Sequence, residues 1–214
     1  MASGDAPRAG RVVILNGAPR SGKSSLARAI QSTVPGTWLN TGVDSFMATL
    51  PPALMPGIGL RPGGERPDLE PAVAKLYDLL FATIRLQALS GFDIVADLGM
   101  HEDYSAPLGI LDRAASTLGP LGALLIGIDC DLDEIMRRRN ADPQGGFYAT
   151  GDTAPPPVLR WQDAVHRDKT YDLRLDMGRL TSEDGAARVA SLLAAPPAQP
   201  VLARPGRNSS ASST

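Results

Sequence analysis

The sequence predicts an α/β fold, a five-stranded parallel sheet with helices on both faces and a lid. Short apolar runs of strand length alternate along the chain with longer segments of helical period, which is the sequence form of βαβ units. The chain has 214 residues, of which 43% are hydrophobic. That length and composition suffice for the buried core of one domain of ordinary size.

Five apolar runs are predicted to be strands, because nearly continuous apolar character suits central strands that are buried on both faces. In chain order they are RVVILN (11–16), TWLNTGV (37–43), DIVADL (93–98), ALLIGID (123–129) and YDLRLDM (171–177). Helical periodicity predicts helices over residues 23–33, 70–89, 104–118, 131–141, 158–169 and 182–193.

The folded domain is predicted to comprise residues 11–194. Residues 1–10 and 195–214 lack apolar periodicity and are rich in Pro, Ser and Gly, so we expect a flexible N-terminus and a disordered tail. Two connections, 51–71 and 142–157, are unusually long and rich in Pro and Gly. Such connections in compact domains are typically lids or binding loops, and we expect the first to order on acceptor binding and the second on nucleotide binding.

Charge and cysteine content argue against several classes of protein. The chain carries 21 basic and 23 acidic residues, a formal charge of −2, which argues against a nucleic-acid or membrane surface built on overall positive charge. No apolar run approaches the roughly 18 residues that span a bilayer. The single cysteine, Cys130, cannot form an intramolecular disulfide, and the N-terminus lacks an apolar signal core. A cytoplasmic location is therefore predicted, and a homo-oligomer is left open.

The run from Gly17 to Ser24 carries the chemistry. It reads GAPRSGKS and matches G-x-x-x-x-G-K-S/T, the phosphate-binding P-loop, directly between the first predicted strand and the first predicted helix. The glycines let the backbone curl into a ring of N–H donors, and the helix adds its positive end. The sequence therefore predicts an ATP or GTP site on a P-loop fold of the nucleoside-monophosphate-kinase type. Its predicted nucleotide-binding residues are Gly17, Ala18, Pro19, Arg20, Ser21, Gly22, Lys23, Ser24, Ser25 and Arg138.

The mechanism of phosphoryl transfer predicts the roles of Lys23, Ser24 and Asp97. Lys23 is expected to reach the terminal phosphates, and the Ser24 hydroxyl is expected to bind Mg²⁺. Asp97 lies at the end of the third predicted strand, as a Walker-B aspartate does, and is assigned to the water shell of Mg²⁺. The sequence contains no N-K-x-D guanine motif and is short for a large ATPase. These features favour a small transferase.

Two further residues are candidates for the transfer step. Asp44 directly follows the second predicted strand, where a carboxylate would open onto the crevice between nucleotide and acceptor, so it is predicted to be the catalytic base. The alternative is a helix N-cap before Ser45. Arg138 lies in an arginine run just before the second long connection and is predicted to neutralise charge on the moving phosphoryl group. The alternative is favourable charge at a helix end.

Other conspicuous side chains have simpler interpretations. His101 and His166 share no metal-ligand spacing, so no zinc site is expected. Cys130, which follows an apolar strand, is interpreted as a core or strand-end residue, and Trp38 and Trp161 as packing residues.

The sequence resembles the chloramphenicol phosphotransferase family of small P-loop kinases. The resemblance rests on ILNG before the P-loop, on Trp38-Leu39 leading into GVDS (42–45), on GIDCD (127–131), and on Val165-His166 with Tyr171-Asp172. It extends over most of residues 11–176. The GVDS segment at this distance from the P-loop makes it much more specific than the P-loop by itself.

The resemblance implies transfer of phosphate from ATP or GTP to a hydroxyl of an antibiotic, with Asp44 at the position of the family's base and Arg138 at its arginine after the CD motif. Two features depart from the family pattern. The family's paired acids after the third strand are Asp97-Leu98 here, and the 51–71 segment differs from the chloramphenicol enzyme's acceptor loop. A larger, more polar acceptor, such as a nucleoside antibiotic of the capuramycin kind, would suit a segment that carries Arg61, Glu65, Arg66 and Asp68.

Two alternatives stay open at this point. One is a metabolite kinase of the gluconate or shikimate type, and the other is a nucleotide-dependent regulatory protein. Asp44 discriminates against the second, because a pure nucleotide switch needs no carboxylate on the acceptor side.

Overall fold

The computed structural model describes residues 8–142 and 151–204. Five strands form one sheet in the order β2-β3-β1-β4-β5, and every neighbouring pair is parallel. The strands are β1 (Val12–Gly17), β2 (Trp38–Asn40), β3 (Asp93–Leu98), β4 (Leu124–Asp129) and β5 (Leu173–Asp176). The predicted five-stranded parallel sheet is confirmed.

Seven α-helices lie within the described residues and cover both faces of this sheet. They are α1 (Lys23–Thr33), α2 (Val43–Met47), α3 (Glu70–Leu89), α4 (Ile110–Leu118), α5 (Leu132–Ala141), α6 (Pro156–Ala164) and α7 (Ser182–Ala194). Two hydrophobic clusters result. One packs α3 and α4 on one face, and the other packs α1 and α7 on the opposite face.

The bounds of α1, α3 and β3 are those predicted, and the largest differences fall on α4, α6 and β2. Helix α4 starts at Ile110, not at residue 104, because Gly109 takes a left-handed φ of 65° that ends the preceding loop. Helix α6 starts earlier than predicted, at Pro156, since proline is favourable in the first turn. It ends at Ala164 and not at residue 169, and the chain turns through Asp168, whose φ of 57° is left-handed. Strand β2 ends at Asn40, and the predicted strand residues 41–43 lead instead into the short α2.

Part of the segment 51–71, which the sequence predicts to be a lid or binding loop, packs into the core. Ile58 and Leu60 are almost fully buried and belong to the cluster under α3. Two short 3-10 turns, Pro52–Leu54 and Gly57–Gly59, satisfy part of its backbone. Of the second predicted lid, 142–157, residues 143–150 lie outside the described residues.

The start of the predicted disordered tail is also packed. Residues Val201–Ala203 form a 3-10 turn, and Leu202 is only 2% exposed because it lies in the cluster beneath α4. The Val201 N–H donates to Asp172 Oδ1 at 2.8 Å. The folded part therefore extends to residue 204, ten residues beyond the predicted boundary. The predicted disorder of residues 205–214 and the predicted flexibility of residues 1–7 fall outside the described residues.

At the N-terminus, the Gly10 N–H donates to the Ala88 carbonyl at 2.8 Å, so the described part of that segment is tied to the end of α3. Among residues 8–142 and 151–204, no helix combines the length and apolar character needed to cross a membrane.

Candidate active site

The P-loop connects β1 to α1 through two backbone positions with positive φ. Arg20 has a φ of 68° and Gly22 a φ of 102°. Gly17, at the start of the loop, packs so closely on β4 that a Cβ atom would lie 2.5 Å from the Ile128 carbonyl oxygen. Glycine is therefore required at Gly17 by close packing and at Gly22 by the left-handed backbone.

The loop offers hydrogen-bond donors that have no partner in the described structure. The first N–H groups of α1, from Lys23 to Ser25, have no carbonyl one turn earlier to bind. Gly22 provides no side-chain cap, and the first turn contains no acidic residue. The Ser21 hydroxyl is buried and makes no hydrogen bond to any described residue. This donor set and the positive helix end fit an anion such as a phosphate chain.

Lys23 lies across the loop that it belongs to. Its ammonium group donates to the carbonyl oxygens of Gly17 at 2.9 Å and Ala18 at 2.7 Å. Burial lowers the pKa of Lys23 to about 8, against the opposing effect of the charges of Asp97 and Asp44. Lys23 thus lies where its ammonium group can bind a phosphate, and the nearby carboxylates compensate its charge only in part.

The lowered pKa predicts pH-dependent nucleotide binding. A bound phosphate stabilises the charged ammonium, so its pKa rises on binding and the site takes up about half a proton at pH 8, with almost none at pH 6.5. Nucleotide affinity should therefore fall as the pH rises above about 8. Calorimetry in two buffers of different ionisation enthalpy measures the uptake. The control is Lys23→Arg, whose guanidinium stays charged, and equal uptake by both proteins would contradict the prediction.

Ser24 and Asp97 meet beside the loop. The Ser24 hydroxyl donates to Asp97 Oδ2 at 2.6 Å. Burial raises the pKa of Asp97, while the Ser24 hydrogen bond and the Lys23 charge lower it. A hydroxyl and a carboxylate oxygen are hard donors, and Mg²⁺ in nucleotide sites is usually held by one or two such protein groups, with water and phosphate completing the shell. The pair therefore fits the predicted magnesium position.

Asp44 is the second residue of α2 and is exposed. Its charge acts on the pKa values of both Lys23 and Asp97, so the three groups lie close together. The alternative interpretation, a helix cap, is wrong, because Gly42 is the N-cap of α2 and no side chain caps the helix. The carboxylate of Asp44 makes no hydrogen bond within the described residues.

The turn before Asp44 is held tightly against β3. The Thr41 N–H donates to the Val95 carbonyl at 3.0 Å, and the Thr41 hydroxyl donates to Gln87 Oε1 at 2.7 Å. A Cβ atom on Gly42 would lie 1.6 Å from Asp97 Oδ1 and 3.0 Å from the Asp97 backbone nitrogen. The absence of a side chain at Gly42 is therefore what lets the base candidate and the metal candidate lie side by side.

Replacing Gly42 by alanine is expected to displace the Asp97 carboxylate from Ser24. Disturbing a group in the outer shell of a metal site typically costs about 10- to 100-fold in metal affinity, so the concentration of Mg²⁺ needed for tight nucleotide binding should rise by roughly that factor. Titration of Mg²⁺ with a fluorescent ATP analogue measures it. Gly151→Ala is the matched control, because a Cβ there meets no atom of the described residues within 4 Å. Equal Mg²⁺ requirements in the two variants would contradict this account.

Arg138 is brought to the P-loop by α5, although not in the open position that a mobile arginine finger would have. Its guanidinium donates to Glu134 at 2.7 Å, to the Arg20 carbonyl at 3.3 Å and to the Met177 carbonyl at 2.7 Å. Arg137 instead points to an exposed pair with Glu134. Arg138 thus joins the P-loop to the turn after β5, and of Arg137 and Arg138 it is the one that contacts the loop.

Sequence reasoning missed Asn16, which stabilises the end of β1. Asn16 is fully buried, accepts from the Met100 N–H at 2.6 Å, and donates to the Val165 carbonyl and the Tyr171 hydroxyl, each at 3.0 Å. It therefore holds the strand end before the P-loop against the segments after β3 and α6. The available signal was a polar residue at the end of an otherwise apolar strand, since buried amides are retained where they are fully hydrogen-bonded.

His101 was also underestimated. It is fully buried, with Nε2 3.0 Å from the Leu60 carbonyl and Nδ1 accepting from the Asp103 N–H, so the ring is neutral with its proton on Nε2. Burial lowers its pKa to about 4. Trp161 packs against its edge, and its six-membered ring lies over Gly99. His101 thus attaches the 51–71 segment to the loop that follows Asp97.

A match to a family's sequence profile over most of the chain shows which family this protein belongs to. The sequence profile described as "Chloramphenicol phosphotransferase-like protein" matches residues 10–194. The chain belongs to the chloramphenicol phosphotransferase-like family. Two Mycobacterium tuberculosis proteins, of strains CDC 1551 and H37Rv and named provisionally as O-phosphotransferases, are each 26% identical to it over 188 residues, which cover 78% of this chain and 75% of theirs. This member of the chloramphenicol phosphotransferase-like family is a phosphotransferase of the kinase type.

Solved structures confirm the P-loop kinase fold of this phosphotransferase. The Mycobacterium tuberculosis APS kinase, solved with AMPPNP and APS, has a TM-score of 0.57 and 20% identity and covers 88% of this chain and 99% of its own. The Acinetobacter baumannii shikimate kinase, solved with shikimate, has a TM-score of 0.56 and 9% identity, and the match covers 87% of this chain and 94% of the kinase. The Deinococcus radiodurans tunicamycin resistance protein has a TM-score of 0.58 and 14% identity, and the match covers 86% of this chain and 95% of that protein. These similarities show the fold that this chain shares with P-loop kinases.

Proposed function

We propose that this phosphotransferase transfers the γ-phosphate of ATP or GTP to a hydroxyl of an antibiotic and so confers self-resistance. The observation that carries the proposal is the position of Asp44. An exposed carboxylate without a hydrogen-bond partner among the described residues lies beside the phosphate lysine and the metal-site carboxylate. A site that only binds a nucleotide does not need it. The acceptor classes proposed are chloramphenicol-like compounds and nucleosides of the capuramycin type.

In the proposed reaction, the acceptor oxygen attacks the γ-phosphorus in line, a new oxygen–phosphorus bond forms, and the bond to the β-phosphate oxygen breaks to release the nucleoside diphosphate. Asp44 accepts the hydroxyl proton as the attack proceeds, or orients that hydroxyl for attack. Lys23 exchanges its hydrogen bonds with Gly17 and Ala18 for the phosphates and stabilises their charge. Ser24 and Asp97 are the residues that would hold Mg²⁺, which neutralises phosphate charge when bound.

Arg138 has a supporting part in this proposal. Because it donates to the Arg20 carbonyl, it fixes the loop whose N–H groups bind the phosphates. Its Nη1 atom also lies 3.1 Å from where a Cβ of Gly22 would be, so the guanidinium is at the loop and contributes positive charge there.

Fewer charged side chains of the 51–71 segment are free to meet an acceptor than the sequence suggested. Arg66 pairs with Asp68 at 2.8 Å, and Glu65 pairs with Arg160 of α6. Of the four charged residues expected to meet a polar acceptor, only Arg61 makes no ion pair within the described residues. Acceptor recognition by this segment is therefore proposed to depend on Arg61 and on shape more than on a cluster of charges.

The test is a phosphate-transfer screen with Mg²⁺ and either ATP or GTP. The acceptors are chloramphenicol, capuramycin-type nucleosides, matched analogues with the target hydroxyl blocked, and two small metabolites, gluconate and shikimate. Mass spectrometry should find one added phosphate on an antibiotic and none on its blocked analogue, and the Asp44→Asn variant should lose the product. Turnover of a metabolite in place of every antibiotic would contradict the proposed substrate class. Nucleotide binding without transfer to any acceptor would favour a regulatory protein.

A further inference from the structure

One face of α3 is apolar and exposed within the described structure. Leu79 is 55% exposed, Leu86 is 68% exposed and Leu89 is 41% exposed, although the opposite side of the same helix fills the core with residues such as Tyr77 and Phe81. Single exposed leucines are common on protein surfaces, whereas three on one helix face are not explained by the domain's own packing.

The spacing of these residues indicates a helical partner. Leu79, Ala82, Leu86 and Leu89 follow one another at intervals of three, four and three, which is the a and d pattern of a coiled-coil seam. The helix is 20 residues long. The seam continues toward the N-terminus through Lys75, whose aliphatic stem can cover apolar surface while its ammonium group stays in water.

We propose that α3 pairs with α3 of a second copy of this chain in an antiparallel arrangement. In one register, Leu79 lies opposite the partner's Ala82, Lys75 opposite the partner's Leu86, and Ala72 opposite the partner's Leu89. Alanine faces leucine in two of these three contacts, so the two helices can approach closely there. Because the arrangement is two-fold symmetric, each of these contacts occurs twice.

Charge complementarity selects this partner and this register. Asp78 and Arg85 flank the seam on the same side, seven residues apart, and in this register each Asp78 faces the partner's Arg85. Arg85 forms no ion pair within the described residues, and Asp78, which binds Arg113 through Oδ2 at 2.6 Å, keeps Oδ1 available. An antiparallel register shifted by one heptad brings the two Arg85 side chains together, and a parallel pair brings the two Lys75 side chains together. Both alternatives place like charges in contact.

The contact area is small, since one helix from each copy supplies it. Interfaces at the low end of the size range form reversible complexes, so we expect a dimer with a Kd of roughly 1–100 µM and not an obligate assembly. The catalytic groups of each copy stay on their own chain. The dimer therefore needs no proposed substrate, and it stands or falls independently of the proposed function.

Sedimentation velocity of the full chain across a concentration series tests the proposal. The wild-type protein should pass from monomer to dimer, and Leu86→Glu should raise the dimer Kd at least ~10-fold, because it buries a charge in the seam. The matched control is Leu159→Glu, which alters an exposed leucine on α6 and should leave the Kd unchanged. A monomer at every concentration, or equal dimerisation by both variants, would overturn the proposal.

A charge exchange tests the register. Arg85→Asp should weaken the dimer, since Asp78 then faces an acidic residue, and the combined variant Asp78→Arg with Arg85→Asp should restore it. No restoration would overturn the proposed pairing. Co-sedimentation with phosphatidylcholine–phosphatidylserine vesicles tests a lipid surface as the occupant of this face. Vesicle binding that Leu86→Glu abolishes, together with a monomeric wild type, would assign the face to lipid and overturn the dimer.

Discussion

Replacing Asp44 by asparagine is expected to lower phosphoryl transfer roughly 10²- to 10⁴-fold, the usual loss when a general base is removed. Nucleotide affinity near neutral pH should change little, because the substitution acts on the acceptor hydroxyl and not on the phosphate cradle. Single-turnover transfer to the acceptor found by the screen, with a separate nucleotide titration, measures both. The substitution also removes a charge that raises the pKa of Lys23, so proton uptake on nucleotide binding at pH 8 should increase.

The matched control for Asp44→Asn is Asp112→Asn. Asp112 is another exposed carboxylate in the first turn of a helix, α4, and lies outside the predicted site. The Asp112→Asn substitution should leave the rate of phosphoryl transfer unchanged. Near-normal turnover by the Asp44 variant would refute its role as base and leave Asp97 as the remaining carboxylate candidate.

Replacing Lys23 by alanine is expected to remove measurable transfer while the fold persists. The ammonium group is placed to stabilise the negative charge that develops on the leaving phosphates during transfer. Such cations at phosphate sites contribute orders of magnitude to the rate. Its removal leaves only the carbonyls of two buried loop residues, Gly17 and Ala18, without this donor, a local loss that the packed sheet and helices around the loop should tolerate. Transfer assays together with thermal unfolding check the two halves of this expectation.

Arg28→Ala, an exposed substitution on the same helix, serves as the control for Lys23→Ala and should retain full activity. If the Lys23 variant kept more than about a tenth of wild-type turnover, the phosphate role of the lysine would be wrong. If it unfolded, thermal unfolding would reveal this before any kinetic conclusion was drawn.

The P-loop and the sheet could be predicted because their patterns are local. Strand β1, the loop and α1 follow one another within 22 residues, Val12–Thr33, and each step has its own sequence signal. The juxtaposition of Ser24 with Asp97 followed from the rule that neighbouring parallel strands end at the same edge of the sheet. The roles of these residues stay predictions until the kinetic tests are made.

The features that sequence reasoning missed depend on contacts between distant segments. Nothing local to His101 indicates that it binds the Leu60 carbonyl, and nothing local to Leu60 indicates burial within a Pro- and Gly-rich connection. Helix α4 starts late because Glu102 accepts the N–H groups of Leu108, Gly109 and Ile110 and thereby fixes the preceding loop. Periodicity cannot report a carboxylate that caps a helix from eight residues away.

The packed C-terminal segment bears on how the domain is completed during synthesis. Asp172 accepts from the Leu125 N–H with one carboxylate oxygen and from the Val201 N–H with the other, each at 2.8 Å, and Leu202 closes the core beneath α4. Domains fold as units while the ribosome delivers them from the N-terminus. Leu202, the last core side chain among the described residues, lies eight residues past Ala194, the end of α7. A nascent chain that has emerged from the ribosome only as far as α7 therefore still exposes an apolar gap in its core. During that interval a chaperone would have an exposed apolar surface to bind.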